Sequence, residues 1–181
     1  MNIHILSRDE AENYVPDGTA AIISISSSED KKANINENLF EGVLPLVFNE
    51  DTSVSDNSFN SDIAGEINNF HETHKDVSDL VVNCEAGLNR SAGVALGIAY
   101  KRRDKNLARK ILLEKKPNSL VFALLIHGLG KVKGIDEMYG AYLRKTNEYG
   151  DIKSEYSVAE LMEARYENAE ELETLFDELG A

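Results

Sequence analysis

Four short apolar runs, separated by segments of helical period, constrain this chain more than any other feature. Ile3-His4-Ile5-Leu6 and Ala20-Ala21-Ile22-Ile23-Ser24-Ile25 have strand length, and the second is bounded by Gly18 and a serine cluster. Leu44-Pro45-Leu46-Val47-Phe48 is a third strand candidate, whose proline suits a strand start or a sheet edge. Leu80-Val81-Val82 is the fourth, and together they predict a mostly buried sheet.

From Asn60 to His74, the apolar residues Ile63, Ile67 and Phe70 recur at helical spacing, with Asn60, Ser61 and Asp62 as cap residues. After Arg90 three helices follow in succession. The first carries Ala92, Val94, Ala95, Ile98 and Ala99; the second Leu107, Ala108, Ile111 and Leu112; the third runs from Leu120 to Leu129 after Pro117-Asn118. Strands alternating with helices predict an α/β fold: a central, mostly parallel sheet flanked by helices.

The composition changes at Gly134. From there to Ala181 thirteen Asp and Glu stand against four Lys and Arg. Ser157-Val158-Ala159-Glu160 has capping-box form, and Val158, Leu161, Met162, Leu172, Leu175, Phe176 and Leu179 recur at helical spacing. We therefore divide the chain into an α/β domain, residues 1–133, and an acidic helical C-terminal extension, residues 134–181. The extension either packs on its own domain or offers a surface for a partner or for self-association.

A formal charge of −13 opposes approach to nucleic acid and to anionic membranes. Anionic substrates are repelled at a distance too, so phosphate chemistry here needs a local positive pocket. No basic segment followed by a long apolar run opens the chain, and no stretch reaches the length of a membrane span. A cytoplasmic location is expected. The single cysteine, Cys84, has no internal disulfide partner and is either an inert core residue or a reactive thiol.

Its surroundings favour the reactive thiol. Leu80-Val81-Val82-Asn83 leads a strand into Cys84-Glu85-Ala86-Gly87-Leu88-Asn89-Arg90-Ser91, and a helix-forming run follows at once. A loop wrapped around a helix N-terminus aims several backbone N–H groups at one spot, where the helix dipole adds positive charge. That spot suits a phosphate, and the same field favours a nucleophilic sulfur. Arg90 presents a planar fork for two phosphate oxygens. Gly87 lets the backbone turn without obstructing the anion, and Ser91 can donate to the sulfur and ease its departure. Glu85, Ala86, Gly87, Leu88, Asn89 and Arg90 are the expected substrate-binding positions. By composition alone, an arginine falls six residues after a cysteine about one time in twenty. The strand, the glycine, the serine and the helix together raise the pattern well above that chance.

The segment Val82-Asn83-Cys84-Glu85-Ala86-Gly87-Leu88-Asn89-Arg90-Ser91-Ala92 resembles the signature loop of the protein tyrosine phosphatase superfamily: cysteine, five residues, arginine, then serine or threonine. It is most similar to small dual-specificity-like members of bacterial and phage type. The resemblance covers roughly residues 20–129 and leaves out the acidic extension. It implies a phosphotyrosine protein phosphatase-like fold and a metal-independent, cofactor-free hydrolase working through a phosphocysteine on Cys84. It also implies that the substrate is a phosphorylated protein, carrying phosphotyrosine or phosphoserine and phosphothreonine, or a small phosphomonoester. One position departs from the pattern: Asn83 stands where the family commonly has histidine. That departure supports an alternative, a weak or inactive pseudophosphatase that binds phosphorylated partners.

A leaving alkoxide or phenolate needs a proton, and the family supplies an aspartate after an upstream strand. The corresponding segment is Leu46-Val47-Phe48-Asn49-Glu50-Asp51-Thr52, about thirty residues before Cys84. Asp51 is the first choice for the general acid and Glu50 the second. The family's tryptophan-proline-aspartate form is absent, and the chain has no tryptophan.

His71 and His74 are three apart on one helix with no third metal ligand at suitable spacing, and read as a surface pair. His4 and His127 lie among apolar residues and read as core or boundary side chains. Lys101, Arg102 and Arg103 suit the C-terminus of the loop helix. Rhodanese-type sulfurtransferases have a loop one residue shorter, and arsenate reductase relatives need further cysteines, so neither fits as well.

Overall fold

The computed structural model describes residues 1–50 and 58–127. All four expected strands form: β1 (Asn2–Leu6), β2 (Ala20–Ser26), β3 (Gly42–Val47) and β4 (Asp79–Asn83). They make one sheet in the order β1-β4-β2-β3, and every pairing is parallel. The expectation of a mostly parallel sheet is thus met by a wholly parallel one. β2 and β4 occupy the centre and are buried along their whole length, as their unbroken apolar runs require. β3 is an edge strand, which is where Pro45, lacking an N–H, belongs.

Among the described residues, five α-helices accompany the sheet: α1 (Arg8–Glu12), α2 (Ser61–Thr73), α3 (Arg90–Lys101), α4 (Lys105–Glu114) and α5 (Ser119–His127). Asn60 caps α2, its side-chain oxygen accepting from the N–H groups of Asp62 and Ile63. Asp104 caps α4 through Leu107 N–H. The helix α1 was not anticipated, although Ser7 and Glu10 form a full capping box at its start.

The layers follow from the alternation along the strands. Ile23, Ile25, Leu80 and Val82 face one side, where they pack against Ala64 and Ile67 of α2, Val94 and Ile98 of α3, and Leu120, Val121 and Leu125 of α5. Ile22 and Val81 face the other side, covered by Ala11 of α1 with Tyr14, Ile35 and Phe40. Thus α2, α3 and α5 cover one face, and α4 joins α3 and α5 in a cluster that reaches Ile3 and Ile5 of β1. Close approach of α3 and α5 needs small residues. A β-carbon on Gly93 would lie 2.8 Å from the Asn118 carbonyl oxygen, and one on Gly97 would lie 3.0 Å from Leu125.

One reading requires correction. His71 and His74 are not a surface pair: His71 is 5% exposed, and neither ring nitrogen has a hydrogen-bond partner. Burial in the α2 contact, reinforced by the Lys101 charge, holds its pKa below the ordinary value. His74 instead turns its Nδ1 to the Phe70 carbonyl at 2.9 Å. The helical period of α2 carried the reason: position 71 lies four beyond Ile67, on the apolar stripe. His4 matches the boundary reading, with Nε2 3.0 Å from an Asp79 carboxylate oxygen that also accepts from Asn2.

Among the described residues, no helix is long and apolar enough to cross a membrane. The extension at 134–181, and His127's side-chain environment, lie outside what is described.

Candidate active site

The segment that begins at Cys84 leaves the C-terminal end of β4 at the middle of the sheet and enters α3 at Arg90. In parallel sheets this end of the strands is where loops and helix N-termini converge, and it is where ligands bind. The loop is anchored on three sides. Cys84 N–H donates to the Leu6 carbonyl at 3.3 Å, Arg8 N–H to Glu85 at 3.2 Å, and Lys116 N–H to Leu88 at 3.2 Å. Lys115 Nζ donates to the Gly87 carbonyl at 3.0 Å, and Asn118 N–H to Asn89 at 3.0 Å.

Gly87 has φ +67°, in the left-handed region, and a β-carbon there would lie 2.6 Å from the Ser7 nitrogen. Only glycine meets both demands. Asn89 occupies the N-cap position of α3, and its side chain makes no cap bond to the first turn of that helix.

Within this frame, Cys84 is fully buried, and its Sγ lies 3.1 Å from Ser91 Oγ. Once the sulfur is a thiolate, only the serine can donate in that pair. Arg90 is the largest buried side chain of the described residues, with its side chain 2% exposed. Nη1 donates to the Phe48 carbonyl at 2.9 Å, and Nη2 donates to the Glu85 and Glu50 carboxylates, the latter at 3.4 Å. Its Nε has no partner.

Glu85 was expected to serve through its backbone. Its carboxylate also turns inward, one oxygen accepting from Ser27 N–H at 2.9 Å and the other from Arg90. Burial alone would push this carboxyl up, but the Ser27 hydrogen bonds and the Arg90 charge outweigh it and hold its pKa below the ordinary value. The pair ties the arginine to the end of β2.

Among the expected residues, the structure therefore brings together Cys84, Ser91, Arg90, Glu85 and Glu50. Ala86 and Leu88 are exposed on the outer side of the loop. Asp51, the first choice for the acid, lies outside the described residues. Asn83 is 1% exposed, and its Oδ1 has no hydrogen-bond partner. Sequence reasoning passed over Asn118, which is 5% exposed and donates from Nδ2 to the Glu50 carbonyl at 2.9 Å. Its position before a helical run marked it as a cap, and nothing in the sequence marked its second bond.

The chain matches no protein-family model and no curated protein.

Proposed function

We propose that this chain is a cysteine-dependent phosphomonoester hydrolase that acts on phosphorylated proteins or small phosphomonoesters. One observation carries the reading. A buried cysteine sulfur with a serine hydroxyl at 3.1 Å sits beside a buried arginine, at a helix N-terminus that the side chain of its N-cap residue, Asn89, does not close. A buried guanidinium must be paired and a helix N-terminus must find acceptors, so both present groups that an anion can satisfy. Together they suit a dianionic phosphoryl group.

In this reading the phosphate displaces Glu50 from Arg90, a contact that is long, at 3.4 Å, and half exposed on the glutamate side. The guanidinium and the first-turn N–H groups then hold the non-bridging oxygens. Cys84 sulfur attacks phosphorus; the S–P bond forms, the ester P–O bond breaks, and the leaving oxygen takes a proton from Glu50 or Asp51. A water then attacks the phosphocysteine and gives a proton back to that carboxylate, the S–P bond breaks with the sulfur leaving as thiolate, and inorganic phosphate departs. Ser91 donates to the sulfur as it leaves.

A second reading, phosphate binding without turnover, is favoured by Asn83, whose buried Oδ1 finds no partner beside the nucleophile. Hydrolysis of p-nitrophenyl phosphate at mildly acidic pH separates the two. Turnover by wild type, lost in Cys84→Ser and blocked by vanadate, is the expected result. Wild type as inactive as Cys84→Ser, yet still binding vanadate, would leave the binding module.

A further inference from the structure

We infer that Asn118 is a positioning residue that fixes the proton-donating segment against the phosphate loop, an assignment that rests on the phosphatase reading above. Its side chain does more than a helix cap needs. The Oδ1 of Asn118 accepts from Val121 N–H at 3.0 Å, which is the ordinary N-cap bond of α5. Aspartate, serine or threonine would supply that bond equally well. What the amide adds is a donor on a second atom, so Nδ2 reaches the Glu50 carbonyl at 2.9 Å while Oδ1 keeps the cap bond.

That bond matters because of where Glu50 lies. β3 ends at Val47, and beyond it the chain leaves the sheet. Among the described residues, three hydrogen bonds hold the backbone from Phe48 to Glu50. Phe48 N–H donates to Ser26, the Phe48 carbonyl accepts from Arg90, and the Glu50 carbonyl accepts from Asn118. The last of these is the one nearest the candidate acids, Glu50 itself and its neighbour Asp51. The main chain of Asn118 meanwhile donates to the Asn89 carbonyl at the start of α3. One 5%-exposed residue thus sets the distance between the phosphate loop and the acid segment.

Among the described residues, the hydrogen bonds of Asn118 go to Glu50, Val121, Asn89 and Phe122, and not to the sulfur of Cys84 or the guanidinium of Arg90. Its loss should therefore leave phosphate binding and nucleophilic attack intact, and should weaken only the protonation of the leaving group. Misplacing a catalytic group by about 1 Å can cost on the order of 100-fold, and general acid catalysis is worth roughly 100-fold or more. The cost appears only where the leaving group needs the proton.

The test uses Asn118→Asp and Asn118→Ser, both of which keep a cap acceptor for α5 and remove the amide donor. For each, kcat is measured on phenyl phosphate and on 2,4-dinitrophenyl phosphate, alongside vanadate inhibition and thermal unfolding. The expected result is a loss of about 10-fold or more on phenyl phosphate, with less than about threefold change on the activated ester and in vanadate inhibition. Equal losses on both substrates, or no loss on either, would overturn the positioning role while leaving the phosphatase reading standing. A wild type that turns over neither ester overturns both.

Discussion

Gly87 faces Ser7 so closely that a β-carbon at position 87 would lie 2.6 Å from the Ser7 nitrogen. The glycine's φ of +67° adds a second demand that an L side chain meets poorly. The end of β1 therefore acts as a floor for the loop from Cys84 to Ser91, and the loop's curvature depends on it. Gly87→Ala should destabilise the fold by about 2–4 kcal/mol, combining the left-handed backbone cost with overpacking. Urea unfolding measures this, and a change under about 0.5 kcal/mol would mean that the loop lies differently.

Arg90 satisfies Phe48, Glu85 and Glu50 at once, which a lysine ammonium on a single stem cannot reproduce. Arg90→Lys should lower kcat/KM on p-nitrophenyl phosphate by about 100-fold or more. It should also cost about 1–3 kcal/mol in stability, because a buried acceptor loses its donor. Retention of near-normal kcat/KM would remove the arginine from the reaction.

Glu85 gives a pH signature. Its folded pKa lies below its ordinary value of 4.5, so it contributes stability above that value and loses it as pH falls through the folded one. The stability advantage of wild type over Glu85→Gln should be steady near neutrality and shrink as the pH falls below the ordinary carboxyl value of 4.5. Taking the difference between the two proteins cancels the many other carboxylates of this acidic chain. An advantage that grew on acidification would contradict the Ser27 and Arg90 contacts assigned to this carboxylate.

How much of this was legible beforehand depended on the range of the interaction. Periodicity marked all four strands, and it marked α2 to α5, because burial of one face imposes the pattern locally. Pro45 correctly pointed to an edge. Helix α1 was overlooked although Ser7 and Glu10 carry its capping signal, since five residues are too few to show a period. The loop from Cys84 to Ser91 was readable because its parts are contiguous in sequence. The inward carboxylate of Glu85 and the bond from Asn118 to Glu50 were not, since each joins segments brought together only by the parallel order β1-β4-β2-β3. His71 was read together with His74 as a surface pair unsuited to a metal, whereas its burial follows from its place on the apolar stripe, four beyond Ile67.

The most direct test of the account is to trap the covalent intermediate. Ser91→Ala removes the hydroxyl that lies 3.1 Å from the Cys84 sulfur and can donate to it as it leaves, so breakdown of a phosphocysteine should slow more than its formation. Rapid acid quench of this variant during turnover of p-nitrophenyl phosphate, followed by mass spectrometry, should find one phosphoryl group on the peptide bearing Cys84. A burst of p-nitrophenol equal to the enzyme present should accompany it. Continued turnover with that peptide unmodified and no burst would contradict nucleophilic catalysis by Cys84.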